Sequence, residues 1–561
     1  NSHNMKVMAG FQTENTKRHD FNAKKYGFQD PERPEFDLTT GKNSKDADIG
    51  SEVKGYSQDW ATAGFFGRLN YDYKSRYLVE GNLRYDGTSR FRRGNRWQLS
   101  PSFSAGWNMA EEPFFENLRS NIDQLKLRAS YGVLGNQNTS GWYPTYRSMS
   151  IGVLNGQWLN NSIAPNTASI GSLVSSALTW EKVKTWNVGL DYSFFNNRLS
   201  GYFDYFIRRT EDMVGPAPEL PATLGVSSPK TNNCDLKTRG WEFQISWRDR
   251  LRCGFNYGIT LSLSDQQTYI DSYPGNMTGS FYSSSTYDLW QYVSGYKINT
   301  IWGYETIGIA KSQEEMNAHL ASLPNGGQSA IGDNWGAGDI MYKDLDGNGQ
   351  ISPGAMTTSD HGDLKILGDS NPHFFFSLDM NASWKGFDIR AYWQGVLKHD
   401  FWPAGNSIMN HSTSWGPGQM FWGVPGNQGE SWIIGFTEHQ NYFRTEETGL
   451  DGYKLPANLD SYYPRPLFNN EKGYKNQYIQ SRYMQNAAYV RLKNLQLGYT
   501  LPKAWIEKMN ISKCRIFVSA ENVFTITSLS KLFDPETCSG GVGGNAYPLS
   551  RTWSCGLNVT F

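Results

Sequence analysis

Ser550-Arg-Thr-Trp-Ser-Cys-Gly-Leu-Asn-Val-Thr-Phe561 closes the chain, and from Trp553 onward it alternates without error. Trp553, Cys555, Leu557, Val559 and Phe561 fall on one side, and Ser554, Gly556, Asn558 and Thr560 on the other, because successive strand side chains face opposite sides of a sheet. A soluble sandwich alternates too, but it seldom ends its chain on an aromatic strand of about the 9–11 residues that cross a bilayer. The stretch reads as the closing stave of an outer-membrane barrel.

The bulk numbers agree with that reading. Aromatic residues make up 15% of the 561 residues, with 20 Trp and 32 Tyr, yet the mean hydropathy is polar at −0.59. No run approaches the ~18 consecutive apolar residues of a membrane helix. Many aromatics without such a run suit a barrel, where every second residue meets lipid and Trp and Tyr gather in interfacial girdles. The competing class on composition is a secreted β-rich carbohydrate binder. Lys plus Arg and Asp plus Glu are both 53, which leaves no electrostatic footprint for nucleic acid. Asn1 is no initiator and no charged-then-apolar leader precedes the first strand, so the sequence reads as mature or as a fragment. Five cysteines, Cys234, Cys253, Cys514, Cys538 and Cys555, show no metal-ligand spacing and read as packing residues, although an oxidising compartment permits a bridge.

Upstream, the same pattern recurs. A first strand is expected over Asn4–Glu14, followed by a polar loop to Asp59. Strands then follow at Thr62–Tyr73, Tyr77–Asp86, Leu99–Met109 and Leu125–Val133, each with one apolar face and one polar, often ionic, face. Trp186–Phe194 and Leu199–Ile207 form a hairpin across Asn196-Asn197. In the next pair Trp241, Phe243, Ile245 and Trp247 oppose Glu242, Gln244, Ser246 and Arg248, and Phe255–Ser264 returns. Phe374–Trp384 and Phe387–Gly395 meet at Lys385-Gly386, and Tyr489–Leu501, Cys514–Phe524 and the terminal strand finish the chain. The expected fold is all-β, an antiparallel transmembrane barrel segment of about fourteen strands. Two long insertions break it, 265–371 and 398–484, and short connections alternate with long ones as periplasmic turns and extracellular loops do.

Three sets of residues are candidates for chemistry. In Asp344-Leu-Asp-Gly-Asn-Gly-Gln-Ile351, Asp344, Asp346, Asn348 and the Gln350 carbonyl fall at positions one, three, five and seven of a calcium loop, with Gly349 at the sixth. The twelfth position is Ala355, so the usual Glu is missing, and Asp360 or Asp363 is left to replace it. Ca2+ or Mg2+ binding and a self-satisfied Asx turn both fit. The aromatics Trp290, Tyr292, Trp302, Tyr304, Trp335, Trp402, Trp415, Trp422 and Trp432 all lie in the insertions. They stack on sugars or meet a protein partner as a set, or pack the loops one on another. Catalysis has no constellation behind it: no metalloprotease spacing among the His, no Gly-x-Ser-x-Gly elbow, and no Lys in Gly540-Gly-Val-Gly-Gly544. The chain is therefore not expected to be an enzyme.

Tyr77-Leu-Val-Glu-Gly-Asn-Leu-Arg-Tyr-Asp-Gly-Thr-Ser-Arg-Phe91, Gly94-Asn-Arg-Trp97 and Pro101-Ser-Phe-Ser-Ala-Gly-Trp107 resemble the SusC/RagA family of TonB-dependent outer-membrane transporters of the Bacteroidetes. So do Leu125-Lys-Leu-Arg-Ala-Ser-Tyr-Gly-Val-Leu-Gly-Asn-Gln137, Thr179-Trp-Glu-Lys182, Arg239-Gly-Trp-Glu242, Tyr489-Val-Arg-Leu-Lys-Asn-Leu-Gln-Leu-Gly-Tyr499 and Ala520-Glu-Asn-Val-Phe524. The resemblance implies a 22-stranded barrel with a plugged lumen, of which this chain is the C-terminal part. It also implies a SusD-like surface lipoprotein as lid, oligosaccharide or peptide import, and energy from TonB, ExbB and ExbD through a plug that is not found in this sequence. A membrane scaffold or receptor for a surface lipoprotein, without transport, is the alternative.

Overall fold

The computed structural model describes residues 2–30, 32–139, 141–153, 166–216, 223, 229–282, 292–403, 437–450, 452–466, 474–538 and 546–561. Fourteen strands form one antiparallel sheet in chain order. They are β1 (His3–Lys24), β2 (Glu52–Tyr73), β3 (Tyr77–Thr88), β4 (Trp97–Asn108), β5 (Ile122–Asn136), β6 (Glu181–Phe194) and β7 (Leu199–Gly215). The second half comprises β8 (Thr231–Arg250), β9 (Asn256–Ser272), β10 (His373–Trp384), β11 (Phe387–Lys398), β12 (Tyr489–Thr500), β13 (Lys513–Thr527) and β14 (Thr552–Thr560). Every strand pairs with its predecessor, the up-and-down order of a barrel wall. Among the described residues no helix is long and apolar enough to cross a membrane.

Both faces of the wall follow the alternation. On one side Phe65, Val79, Leu83, Phe103, Trp186, Val188, Leu497, Val518 and Leu557 stand exposed with no layer of protein over them. A soluble protein would bury such a continuous apolar surface, whereas lipid accepts it. Trp241, Phe243, Ile245 and Trp247 share that face half-exposed, and none of them is in a dry interior.

On the other side lie ions bonded to one another. Arg128 donates to Asp191 at 3.1 Å and, through both terminal nitrogens, to Asp204 at 2.7 and 2.6 Å. Arg390 clasps Asp379, Arg515 clasps Asp388, and Arg84 clasps Asp86. A wet inner wall holds such charges in register, because cross-strand neighbours lie within side-chain reach. Lys6, Asp72, Glu80, Lys126, Arg128 and Asn187 help line a polar concavity of about 550 Å³ on this wall.

Turn chemistry separates the two ends of the wall. Residues 74–76, 195–198, 251–255 and 385–386 are tight connections, with Lys74, Ser75, Phe195, Asn196, Asn197, Gly254, Lys385 and Gly386 at positive φ. The hairpin turns that match strand twist need that left-handed backbone. At the opposite end the connections 273–372 and 399–488 are long, which marks that end as extracellular.

Two expectations are corrected. Residues 15–24 and 52–61 form a two-stranded ribbon rather than a polar loop, rising beyond Thr62, where β2 first pairs with Thr88 of β3. The ribbon is polar on both faces, so it carries no alternation. Likewise β7 and β9 run on to Gly215 and Ser272 rather than stopping at Ile207 and Ser264, and β8 begins at Thr231 rather than Trp241. Cys234, Cys253, Cys514 and Cys555 are free thiols; Cys234, Cys514 and Cys538 are buried and pack, whereas Cys253 and Cys555 are exposed.

Arginine at Val188, on the lipid face of β6, is expected to cost about 2–4 kcal/mol. Arginine at the neighbouring Asn187, on the wet face, should cost far less. Urea-driven unfolding of each variant in lipid vesicles measures the difference.

Candidate functional site

The largest buried core of the molecule lies outside the wall, at its extracellular end. Phe281, Ile301, Trp302, Tyr304, Ile340, Tyr342, Ile351 and Leu364 come from the first insertion. Phe401, Trp402, Phe443, Tyr463, Ile479 and Tyr483 come from the second, and Leu529 and Phe533 from the connection between β13 and β14. Three loops thus share one interior. Short strands Thr300–Tyr304 and Leu364–Asp369 pair within it, as do Thr306–Ile309 and Ile340–Tyr342. The helix α1 (Gln313–Ala321) starts at Ser312, whose hydroxyl accepts the Glu315 N–H as an N-cap.

An ionic hub ties the insertions together. Asp339 is fully buried, and its carboxylate accepts from Arg465 at 2.8 and 2.7 Å, from Lys475 at 2.8 Å and from Asn476 at 3.0 Å. Burial alone would raise its pKa, but the donors from Arg465, Lys475 and Asn476 outweigh that and hold it below the usual carboxylate range. Lys475 also donates to the carbonyls of Asp333 and Asn334 and lies 4.8 Å above the Trp335 ring. Where this domain meets the wall, His373 bridges two buried carboxylates, Asp265 at 2.7 Å and Asp369 at 3.0 Å. The local sequence signals neither feature in full, because Asp339 lies more than a hundred residues from Arg465, as Asp265 does from His373, and only the contact between Asp369 and His373 is local.

The Asp-rich loop folds as a compact ring. Asp344 accepts the N–H groups of Gly347 and Gly349, Asp346 that of Asn348, and Asn348 that of Gln350. Gly347 and Gly349 take φ of 74° and 79°, which other residues adopt only with strain. Asp363 is fully buried, and ligand atoms of Asp344, Asp346 and Asp363 lie within 4.8 Å of one another. Asp360 instead accepts the Ala355 N–H and stays outside the group. Burial first, and then the charges of Asp346 and Asp344, raise the Asp363 pKa against the Leu345 and Ser352 N–H bonds that lower it. Three carboxylates and nearby carbonyls are the hard oxygen set that Ca2+ or Mg2+ takes.

The aromatic set divides. Trp302, Tyr304 and Trp402 are buried, with Phe281 stacked on Trp302 at 4.1 Å, so these three pack the loop core and present no surface to a partner. Trp335 is half-buried, and its indole donates to the Gly332 carbonyl. Tyr292 is half-exposed, edge-on to Tyr273. Trp290, Trp415, Trp422 and Trp432 lie outside the described residues.

Comparison with known proteins bears on this architecture. Residues 3–523 match the family described as TonB dependent receptor-like, beta-barrel. The chain belongs to that family. TonB-dependent receptor P3 of Formosa agariphila is 28% identical over 543 residues, covering 93% of this chain and 47% of that protein. TonB-dependent receptor SusC of Bacteroides thetaiotaomicron is 26% identical over 527 residues, covering 91% and 45%. The chain therefore spans about half the length of the curated relatives it matches. The RagAB peptide transporter shares the fold, with a TM-score of 0.73 at 20% identity over all of this chain and 54% of that one. TonB-dependent receptor barrels are outer-membrane proteins, and this chain belongs there with its family.

Replacing Asp339 with Ala strands the Lys475 and Arg465 charges and should destabilise the loop domain by about 3–5 kcal/mol. Hydrogen exchange across 300–342 and 474–487 is expected to accelerate while β2–β5 keep their protection.

Proposed function

We propose that this chain is the barrel wall of an outer-membrane nutrient importer. It takes up oligosaccharides, or peptides, handed over by a SusD-like surface lipoprotein, and the import is energised by TonB, ExbB and ExbD through a plug. The observation that carries the reading is the pairing of an ionic, hydrated inner wall with a single folded domain at its extracellular mouth. A wall lined by Arg128, Asp191 and Asp204 offers a polar route. A domain whose three loops share one core offers a firm seat for a lid. Family membership and the RagAB peptide transporter's shared fold support import over the scaffold reading. The lipid-facing rows speak against a secreted carbohydrate binder.

In the same reading the ring of Asp344, Asp346, Asn348, the Gln350 carbonyl and Asp363 takes Ca2+, with Mg2+ as competitor, and pins the first insertion in shape. Bound cation would reverse the repulsion that raises the Asp363 pKa.

Uptake tests the first part. In a strain carrying the full-length gene, deletion of the plug's energy-coupling segment should abolish growth on the imported oligosaccharide or peptide while the barrel still reaches the outer membrane. Unchanged uptake would leave the lipoprotein scaffold as the better account. Calorimetry tests the second: millimolar Ca2+ should raise the melting temperature of the loop domain by several degrees, and Asp363→Asn should erase the shift. Equal melting with and without Ca2+ identifies the ring as an Asx turn.

A further inference from the structure

At the tight-turn end of the wall, the lipid face is indented. β10, β11, β12 and β13 present an apolar groove of about 570 Å³. Ala382 is its low point, since its neighbours across the ladder are the larger Ile389 and, beyond it, Leu497. One wall is Trp384. The other is Phe387 and Tyr499, whose rings meet at 4.5 Å. Trp384 is held upright by its indole N–H, which donates to the Cys253 carbonyl at 3.3 Å in the neighbouring turn.

One cation lies against a wall of this groove, and a second lies in the turn beside it. Lys385 follows Trp384 directly and places its ammonium 4.7 Å from the indole centroid. Arg252 sits beside Cys253 in the turn that Trp384 bonds. Neither has a carboxylate partner among the described residues, because the nearby acids are taken: Asp249 by Arg198 at 3.4 Å and Asp388 by Arg515 at 2.9 Å. An apolar slot that opens onto unpaired cations is complementary to an amphiphile with an anionic head. The tight turns place this end in the periplasmic leaflet, at headgroup depth.

We propose that the groove is a binding site for one phospholipid of the periplasmic leaflet, with an acyl chain along Ala382 and its phosphate on Lys385 and Arg252. Trp384 then serves as the interfacial wall, its ring body on the chain and its edge toward the headgroup, as amphipathic indoles do. The site is distinct from the inner wall and from the extracellular domain, and it holds whether or not the chain imports.

Native mass spectrometry of the detergent-solubilised chain, titrated with 1-palmitoyl-2-oleoyl-phosphatidylglycerol, reads the bound lipid directly. The double variant Lys385→Gln, Arg252→Gln should weaken retention of the first lipid by about tenfold or more, given the contribution of each basic residue at a lipid surface. Ala382→Trp, which fills the groove, should do the same without changing charge. Lys74→Gln is the matched control, because Lys74 shares the left-handed backbone, with φ of 52° against 48° for Lys385, and lies over its own aromatic neighbour Tyr73. It should leave retention unchanged. Heat-modified gel migration establishes that each variant is folded. Retention that survives either change at the groove, or that Lys74→Gln weakens equally, overturns the proposal.

Discussion

Within a bilayer no water can take up a backbone N–H or carbonyl, so each must find its partner in the chain itself. Here the strand ladder supplies those partners, and the rest of the structure follows from it. Strands that meet lipid on one side and water on the other have no third surface against which to bury a core. The wall's apolar side chains stay exposed, its polar ones pair into ionic clasps such as Arg128 with Asp204, and its dry interior is displaced to the extracellular end. There, away from lipid, Phe281, Trp302, Tyr342 and Tyr483 pack as they would in a soluble protein.

That division decides what could be read beforehand. Alternation is a local signal, and it located each strand from β3 onward, with the hairpin turns at Asn196-Asn197 and Lys385-Gly386 where the structure has them, but β7, β8 and β9 run eight to ten residues beyond the stretches it marked. It failed at the ribbon of residues 15–24 and 52–61, where Lys17, Arg18, Asp20, Lys54 and Asp59 leave neither face apolar. It failed again in the insertions, for a different reason. The pairing of Thr300–Tyr304 with Leu364–Asp369 and the clasp of Asp339 by Arg465 join residues 60 or more positions apart, and no periodicity records such contacts.

The candidate site was legible in part. The order of Asp344, Asp346, Asn348 and Gly349 is a local code, and it named the ring. Its third acid is not coded locally; Asp360 and Asp363 were equal in sequence, and only the fold turns Asp363 inward and Asp360 toward Ala355. The aromatics left two readings open because side-chain chemistry is the same for a core and for a docking face. Trp302, Tyr304 and Trp402 are accounted for by burial, which sequence position alone did not reveal.

Because one interior is drawn from the connections after β9, β11 and β13, those segments cannot drift apart in evolution as surface loops ordinarily do. A smaller side chain at Trp302 must be met by a larger one elsewhere in that interior, on a stretch encoded far downstream. Novelty at the mouth would then arrive by exchange of whole matched sets, while a hairpin outside that interior, such as Met149–Val153 with Asn166–Ile170, remains open to piecemeal change.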